Sequence, residues 1–251
     1  AYPFWLGSVL VIVAVLLVFF FIKEPKVYEE KGEARPSLIT SLREVLQDRD
    51  RSALRVLLAI FFWFVAYNAI EAFFTLYAVK HLHLEESDGA RLLGQLSLIF
   101  VLMALPAGFI GGKFGRKRTI MTGVFIMGCA IFSMYILPVD TLTVLFTKLP
   151  VIGNFYSVSI VLMVAGFSWA LININSLPMV VDMTTDSHIG TYTGLYYLAS
   201  TMAAILGPNL NGWIVQLSGN DYSLMMLFSP LFMLAAFIMM LGVKRGEAKK
   251  E

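Results

Sequence analysis

The feature that most constrains this chain is a series of seven long apolar stretches, separated by polar connections. They cover residues 3–22, 55–79, 92–112, 119–137, 156–181, 190–217 and 222–243. A helix needs about 20 apolar residues to cross the hydrocarbon core of a bilayer, and the stretches have about that length or more. Backbone polar groups in lipid must be satisfied within the protein, so the stretches predict an all-α, polytopic membrane protein with seven transmembrane helices.

The composition excludes the main soluble classes. Hydrophobic residues make up 58% of the chain and charged residues 14%, whereas an average soluble domain has about 25% charged residues. A water-soluble enzyme could not bury so much apolar surface, so no enzyme is predicted. The single cysteine, Cys129, excludes an intrachain disulfide and a cysteine-rich metal site, and the three histidines lack metal-ligand spacing. We therefore predict no metal and no cofactor.

The positive charges predict the orientation of the chain in the membrane. If the connections alternate between the two sides, sixteen of the 19 Lys and Arg residues fall on one side. Cytoplasmic loops carry such an excess of Lys and Arg. The pattern predicts an integral protein of the plasma (inner) membrane, with its N-terminus outside and its C-terminus in the cytoplasm. Because this topology accounts for the basic residues, they do not indicate nucleic-acid binding.

Polar residues are distributed unevenly over the stretches. The first, fourth and seventh contain no Asn, Gln or internal charge, and the other four each contain at least one amide or acid. Polar groups are costly in lipid, so the helices that carry them are expected to face a cavity or another helix. The recurrence at every third stretch predicts a three-helix repeat with one lipid-facing helix per unit. A chance pattern is the alternative.

The second stretch contains Glu71, which is the only acid well inside any of the seven. Asn68, Glu71 and Thr75 share one helical face, and Tyr67 lies one turn before Glu71. An acid in this position costs a few kcal/mol, so its face is expected to meet a polar cavity or a partner group. Two interpretations follow: Glu71 carries a proton or accepts a substrate hydroxyl, or it is a structural acid paired with another helix.

Two further stripes carry polar and aromatic residues at helical spacing. They are Trp169, Asn173 and Ser176 in the fifth stretch, and Thr193, Tyr197 and Asn211 in the sixth. Asn and Tyr can bond to hydroxyl groups, and the faces of Trp and Tyr can stack on sugar rings, so the stripes are candidates for a substrate cavity. The alternative is hydrogen bonding between packed helices, which is common for Ser, Thr and Asn.

The connection between the third and fourth stretches contains a motif, GFIGGKFGRKRTI, over residues 108–120. It resembles the signature loop of the major facilitator superfamily, G-x-L-a-D-r-x-G-r-k-x-x-l. The matching residues are Gly108, Lys113, Gly115, Arg116 and Lys117, and Gly112 stands where the family has Asp. In physical terms, glycines permit a tight turn between close helices, and the loop cations can cap helix C-termini.

The resemblance implies a major-facilitator-type C-terminal six-helix bundle with one preceding helix. Residues 1–22 would be the last helix of the N-terminal half, and residues 23–54 a cytoplasmic linker with a short amphipathic helix. An ordinary solvated connector is the alternative for that linker. Residues 55–243 would form the six-helix transmembrane domain and residues 244–251 a cytoplasmic tail. The implied partners are the lipid bilayer and the missing N-terminal half of the same transporter.

Three shorter segments are similar to the sugar:cation symporter branch, which includes glycoside–pentoside–hexuronide and sucrose-type transporters. They are NAIEAFF at 68–74, LPMVVD at 177–182 and GTYTGLYY at 190–197. The similarity implies a secondary active transporter that moves a small polar solute, here a sugar, with a proton or sodium ion by alternating access.

Other functions stay open at this point. A facilitator-fold exporter of drugs or lipids is the nearest alternative. A seven-helix receptor or retinal protein has the same topology, but the last stretch lacks a Lys for a retinal Schiff base. A membrane-embedded enzyme would need clustered His or paired acids within the stretches.

Overall fold

The computed structural model describes residues 2–22, 45, 50–150, 152–185 and 188–246. Within them the helices are α1 Tyr2–Phe21, α2 Ser52–Lys80, α3 Glu86–Phe114, α4 Arg116–Ile136, α5 Val139–Leu142, α6 Ser157–Val181, α7 Ile189–Leu217 and α8 Leu224–Leu241. Two strands, β1 Leu145–Leu149 and β2 Gly153–Tyr156, form an antiparallel hairpin. Each predicted stretch coincides with one long helix, which confirms the all-α polytopic fold.

Five helices in the described part of the chain are long and apolar enough to cross a membrane: α2, α3, α4, α6 and α8. In α1 the apolar segment Gly7–Phe21 is shorter. Helix α7 has 29 residues but is not among the five, because tyrosines, amides and glycines dilute its apolar residues. The sequence therefore predicted the length of α7 correctly and overestimated its apolar character.

The chain divides into two units, residues 1–35 and 36–251. The first unit contains α1, a single helix without any charged residue. A helix that is apolar on all sides is suited to lipid or to the interior of a larger assembly. Most of the predicted linker, 23–54, lies outside the described residues, including nearly all of its amphipathic segment. Val45 is described: it is helical, buried, and packs with Ala53 and Leu195.

The second unit is a six-helix bundle built from two equivalent triplets, α2–α3–α4 and α6–α7–α8. The first helix of each triplet packs mainly against the second and third helices of the other triplet. Thus α2 lies against α7 and α8, while α6 lies against α3 and α4, and the two third helices pack on each other. This exchange agrees with the three-helix repeat that the sequence predicted, whereas the lipid-facing position of the quiet helices stays a prediction.

Two glycines permit the closest crossings, and they occupy equivalent interfaces. A Cβ on Gly166 of α6 would lie 2.4 Å from the carbonyl oxygen of Leu96 in α3. A Cβ on Gly207 of α7 would lie 2.6 Å from the carbonyl oxygen of Val65 in α2. Side chains at either position would force the helices apart, so small residues set the interhelical distance here, as they do in many membrane bundles.

The β hairpin was not predicted from the sequence. It follows α5 and pairs Leu149 with Gly153 and Lys148 with Asn154. Gly153 has a φ of 85°, a left-handed conformation that suits glycine at the turn. The hairpin is held against α3, because the Gln95 side chain donates to the carbonyl oxygens of Ile152 and Asn154 at 3.3 and 3.2 Å.

Candidate functional site

Helices α2 and α6 meet at a pair of stacked aromatic rings. The ring centroids of Tyr67 and Trp169 lie 3.9 Å apart, and the rings are inclined by 3°. Phe64, one turn before Tyr67, meets Trp169 edge to face at 5.3 Å. The sequence placed Tyr67 and Trp169 on separate stripes, and the structure brings them into contact. Trp169 is only 4% exposed, so its ring is covered by protein and does not offer the open face that the sequence analysis expected for sugar stacking.

Glu71 lies one turn beyond Tyr67, whose hydroxyl donates to Glu71 Oε1 at 3.5 Å. Counting about 1.5 Å per residue, the acid lies about 7.5 Å from the middle of α2, toward Lys80. Its side chain is exposed on the surface of the bundle. Among the described residues no Lys, Arg or His forms an ion pair with it. Glu71 is therefore an acid in a membrane-length helix with one long hydrogen bond from a neutral group.

A small pocket opens beside these two residues, between α2, α3, α4 and α6. Its volume is about 20 Å³, and apart from Tyr67 and Glu71 its walls are apolar. The apolar lining is Ile70, Leu93, Leu96, Met127, Ile131, Met134, Leu162 and Ala165. The space admits about one water molecule. A solute of sugar size would have to bind at the exposed side of Glu71, outside this pocket.

The other predicted residues of α2 are half-buried and do not join Glu71 in a hydrogen bond. The Asn68 amide donates to the carbonyl oxygen of Phe64 in its own helix at 2.7 Å. Thr75 packs toward α3, since a Cβ on Gly89 would lie 3.2 Å from the Thr75 methyl carbon. Asn68, Glu71 and Thr75 therefore lie in one helix at the predicted spacing, but their surroundings differ.

On α6 and α7 the structure adds a tyrosine that the sequence did not predict. Ser176 Oγ donates to the carbonyl oxygen of Asn173 at 2.8 Å and lies 3.1 Å from the hydroxyl of Tyr196. Tyr196 is buried and contacts Phe64 edge to face, whereas the predicted Tyr197 is 55% exposed. The two tyrosines are adjacent in α7, so the sequence alone does not show which of them turns toward α6 and α2. Thr193, also predicted, is half-buried one turn earlier.

Asn211 connects helices and does not line an opening. It is 2% exposed, and its amide donates to the carbonyl oxygen of Ala69 in α2 at 3.1 Å. In the other triplet interface Asn175 of α6 donates to the carbonyl oxygen of Ala107 in α3 at 3.0 Å. The two amides thus tie together α2 with α7 and α3 with α6. Interhelical bonding was the alternative that the sequence left open for Asn211, and it describes the observed position.

The predicted signature loop joins α3 to α4 at Gly115, whose φ is 96°. Lys117 Nζ donates to the carbonyl oxygens of Leu241 and Val243 at 3.2 and 2.6 Å, at the C-terminal end of α8. Arg55 donates to the carbonyl oxygen of Gly242 beside them. These contacts confirm that a loop cation caps a helix C-terminus, where it satisfies free carbonyls and meets the negative end of the helix dipole.

Arg116, the first residue of α4, forms an ion pair with Asp182 at the end of α6, with 3.0 Å between Nη1 and Oδ2. Gly112, at the position of the family's Asp, has no atom within 4 Å of the place where a Cβ would lie. A Cβ atom would therefore meet no neighbour there, so contact at that atom does not require glycine. Lys113 is exposed, and a Cβ on Gly108 would make ordinary contact with Ile174 at 3.6 Å.

A family model described as the Major Facilitator Superfamily matches the chain over residues 1–158 and 96–251. The chain belongs to this superfamily. Membership places it in a family of transporters and not among enzymes or seven-helix receptors. A search of curated proteins gives no match.

Two solved transporters have a fold similar to that of this chain. One is a mutant of the peptide transporter POT in complex with alafosfalin, with a TM-score of 0.60 and 15% identity over 75% of this chain. The other is the xylose transporter XylE from E. coli in an inward-open conformation, with a TM-score of 0.59 and 15% identity over 77% of this chain. The matches cover only 37% and 47% of those two proteins. At this identity the likeness shows a common fold.

Proposed function

We propose that this superfamily member forms part of a secondary active transporter that moves a sugar or similar small polar solute with a proton or sodium ion by alternating access. The observation that carries the proposal is the exposed carboxylate of Glu71, held within a membrane-length helix beside Tyr67. Membrane-embedded acids are expensive and commonly mark ion or substrate pathways.

The roles follow from exposure. Glu71 and the half-buried Tyr67 present oxygen atoms to the surface of the bundle, where a carboxylate can accept hydroxyl hydrogens or take up a proton. Trp169 is buried behind Tyr67 and fixes the position of its ring. Trp169 is therefore a positioning residue in this proposal, and Glu71 with Tyr67 forms the contact to solute or ion. Asn173 and Thr193, both half-buried, remain candidates for further contacts.

The site is completed by a second half of the transporter. Transporters built from repeats bind their solute near the middle of the membrane at the interface between halves. The space beside Glu71 within the described bundle is about 20 Å³, so a sugar needs another surface. The compared transporters are more than twice as long as the part that this chain matches. We infer that the missing N-terminal half supplies that surface.

The orientation follows the charge distribution. With sixteen of its 19 Lys and Arg residues on one side, the chain would have its N-terminus outside and its C-terminus in the cytoplasm of the plasma membrane. The signature loop, with Arg116 and Lys117, would then face the cytoplasm.

Uptake by the full-length transporter in proteoliposomes tests the proposal. The panel contains a pentose, a hexose, a disaccharide, a dipeptide and a lipophilic drug, each measured with an imposed proton or sodium gradient. We expect accumulation of at least one sugar with one of the two gradients. Glu71→Gln is expected to reduce accumulation at least tenfold, and Glu86→Gln, an exposed acid in the first turn of α3, to leave it unchanged. Drug movement without sugar accumulation would contradict the proposal.

A further inference from the structure

A second pocket lies at the hairpin end of the bundle, away from Glu71. It has a volume of about 340 Å³ and is lined by Arg91, Lys148, Leu149, Pro150 and Gly153. Arg91 belongs to the second turn of α3, and the other four residues belong to the hairpin. The pocket therefore lies between a membrane-length helix and the only β structure in the described residues.

The hairpin is shaped to receive the Arg91 side chain. Gly153 has a left-handed backbone, and a Cβ there would lie 2.5 Å from Arg91 Cδ. Because Gly153 has no Cβ, the aliphatic part of the Arg91 side chain packs against the hairpin. Lys148 pairs across the strands with Asn154, the neighbour of Gly153. The two cations are thus brought to one pocket by the register of the strands.

Asp88, the carboxylate beside Arg91, already accepts hydrogen bonds from other residues. Asp88 Oδ2 accepts hydrogen bonds from the Tyr156 hydroxyl at 2.7 Å and the Asn154 amide at 3.0 Å. Arg91 Nη1 lies 3.8 Å from Asp88 Oδ1, at the limit of an ion pair, and the Arg91 side chain is 52% exposed. The described lining of the pocket contains two cations and no acid, so it suits an anionic group.

The surroundings of the pocket are those of a membrane interface. The segment before Lys148 exposes Val144, Leu145 and Phe146, the last by 58%, and α4 ends nearby in the chain with exposed Ile136. The strand register shifts between Leu145 and Thr147, and the Phe146 ring lies 6.4 Å from the ring of Phe155, which pairs with Thr147. Lys148 pairs with Asn154, on the other face of the hairpin. When the exposed apolar residues of β1 enter the acyl region, the long Lys148 side chain extends to the headgroup level, as basic side chains at the ends of membrane helices do.

We propose that Arg91 and Lys148 bind the phosphate group of a membrane phospholipid, one lipid per chain, with its acyl chains along the exposed apolar residues of β1. A guanidinium provides paired donors for phosphate oxygens and an ammonium adds a point charge. This lipid site is independent of the solute and of the role of Glu71.

Native mass spectrometry of the purified full-length protein, titrated with dioleoyl phosphatidylglycerol, tests the proposal. The double variant Arg91→Gln with Lys148→Gln should weaken the tightest lipid at least tenfold. The matched control is Lys80→Gln, an exposed cation at the same end of the bundle but outside the pocket, and it should retain wild-type binding. Equal losses in the control and the double variant would overturn the proposal, because they would indicate attraction by net charge alone.

Two further ligands separate the possible sources of binding. Dioleoylglycerol, which has the acyl chains without phosphate, should bind at least tenfold more weakly than the phospholipid. Glycerol 3-phosphate, which has the phosphate without acyl chains, should not compete with the lipid at millimolar concentration. Equal binding of dioleoylglycerol, or full competition by glycerol 3-phosphate, would each overturn the lipid assignment.

Gly153→Ala tests the geometry while keeping both charges. The added methyl group has to displace the Arg91 stem, so lipid binding should fall, and thermal unfolding in detergent identifies molecules that remain folded. Wild-type lipid affinity in a folded Gly153→Ala protein would contradict the role of the pocket.

Discussion

The signature-loop end of the bundle and the face that carries Glu71 differ in how their charged side chains are paired. At the loop, Arg116 pairs with Asp182 and Lys117 caps the last carbonyls of α8. At the other site, Glu71 has one hydrogen bond of 3.5 Å from Tyr67 and is exposed in a helix of membrane length. Charge that holds helices together is paired within the bundle, whereas the charge that we propose to act on a solute or ion is left available.

The difference has an energetic basis. Ion pairs near water contribute little individually, up to about 1 kcal/mol, so the loop contacts orient helix ends more than they add stability. A carboxylate in a low-dielectric region costs several times more unless an ion, a proton or a donor compensates it. A bundle that only needed to fold would gain by replacing Glu71 with an apolar residue. Its presence is therefore the strongest functional signal in the described bundle.

The largest effect is expected when the Glu71 face is deprived of the proposed second half. The 251-residue chain alone, reconstituted into proteoliposomes, should show no uptake above empty vesicles, because one side of the solute site would be missing. The full-length protein is the control. Uptake by the chain alone would show that the Glu71 face needs no completion.

A smaller effect is expected when only the hydrogen bond to Glu71 is removed. Tyr67→Phe keeps the ring against Trp169 and deletes the hydroxyl, so kcat/KM for uptake should fall about tenfold while thermal stability changes little. Tyr135→Phe, which removes an exposed hydroxyl on α4, serves as the control. If Tyr67→Phe lowered stability and left uptake per folded molecule unchanged, the pair would be structural.

At the loop we expect the reverse pattern. Lys117→Gln should lower the free energy of unfolding by about 1 kcal/mol, since carbonyls of α8 lose a charged donor, and solute affinity should stay constant. Arg118→Gln removes an exposed neighbouring charge and is the matched control. Neutralising Arg116, Lys117 and Arg118 together should disturb insertion or the change of conformation. A loss confined to solute binding would contradict the separate roles that we assign to the loop and to the Glu71 face.

The smallest effect is expected on thermal stability at low pH, through Asp50 at the same end of the bundle. The Ser52 backbone N–H and Arg245 hold the pKa of Asp50 below its ordinary value. Because the folded-state pKa is lowered, the stabilisation is present above the unfolded pKa of 3.8 and is lost as the pH falls through the folded value. The melting temperature of wild type should thus approach that of Asp50→Asn below about pH 4. A constant difference between the two from pH 7 to pH 3 would contradict the linkage.

Much of the fold followed from local properties of the sequence. Apolar length located the seven long helices, and the recurrence of quiet stretches predicted a three-helix repeat. The exchange of first helices between the two triplets was not predicted, because it depends on tertiary packing. The capping by Lys117 was also expected from the charge and position of the loop. The hairpin was missed because Leu145–Leu149 and Gly153–Tyr156 are short and lie between two membrane-length helices.

The site was predicted less well, since a helical stripe does not tell which partner each side chain meets. Sequence spacing selected Tyr197, which is exposed and stays a candidate, but it did not reveal that Tyr196 contacts Ser176 and Phe64. Likewise the ring face of Trp169 was expected to be accessible to a sugar, but its contacts with Tyr67 and Phe64 cover it. Asn211 matched the stripe by spacing and donates to Ala69. In each case the rotation of a neighbouring helix, which only tertiary packing determines, decides the role.

The central claim is that Glu71 acts on an ion or solute and does not serve packing. Its most direct test is solute accumulation by the full-length transporter between pH 5 and pH 9, normalised to folded protein, in wild type and Glu71→Gln. The amide keeps the shape of the side chain but does not titrate. We predict that the variant folds and inserts normally, loses at least tenfold in accumulation, and shows a flat pH profile. A wild-type accumulation ratio and pH profile in Glu71→Gln would contradict the claim.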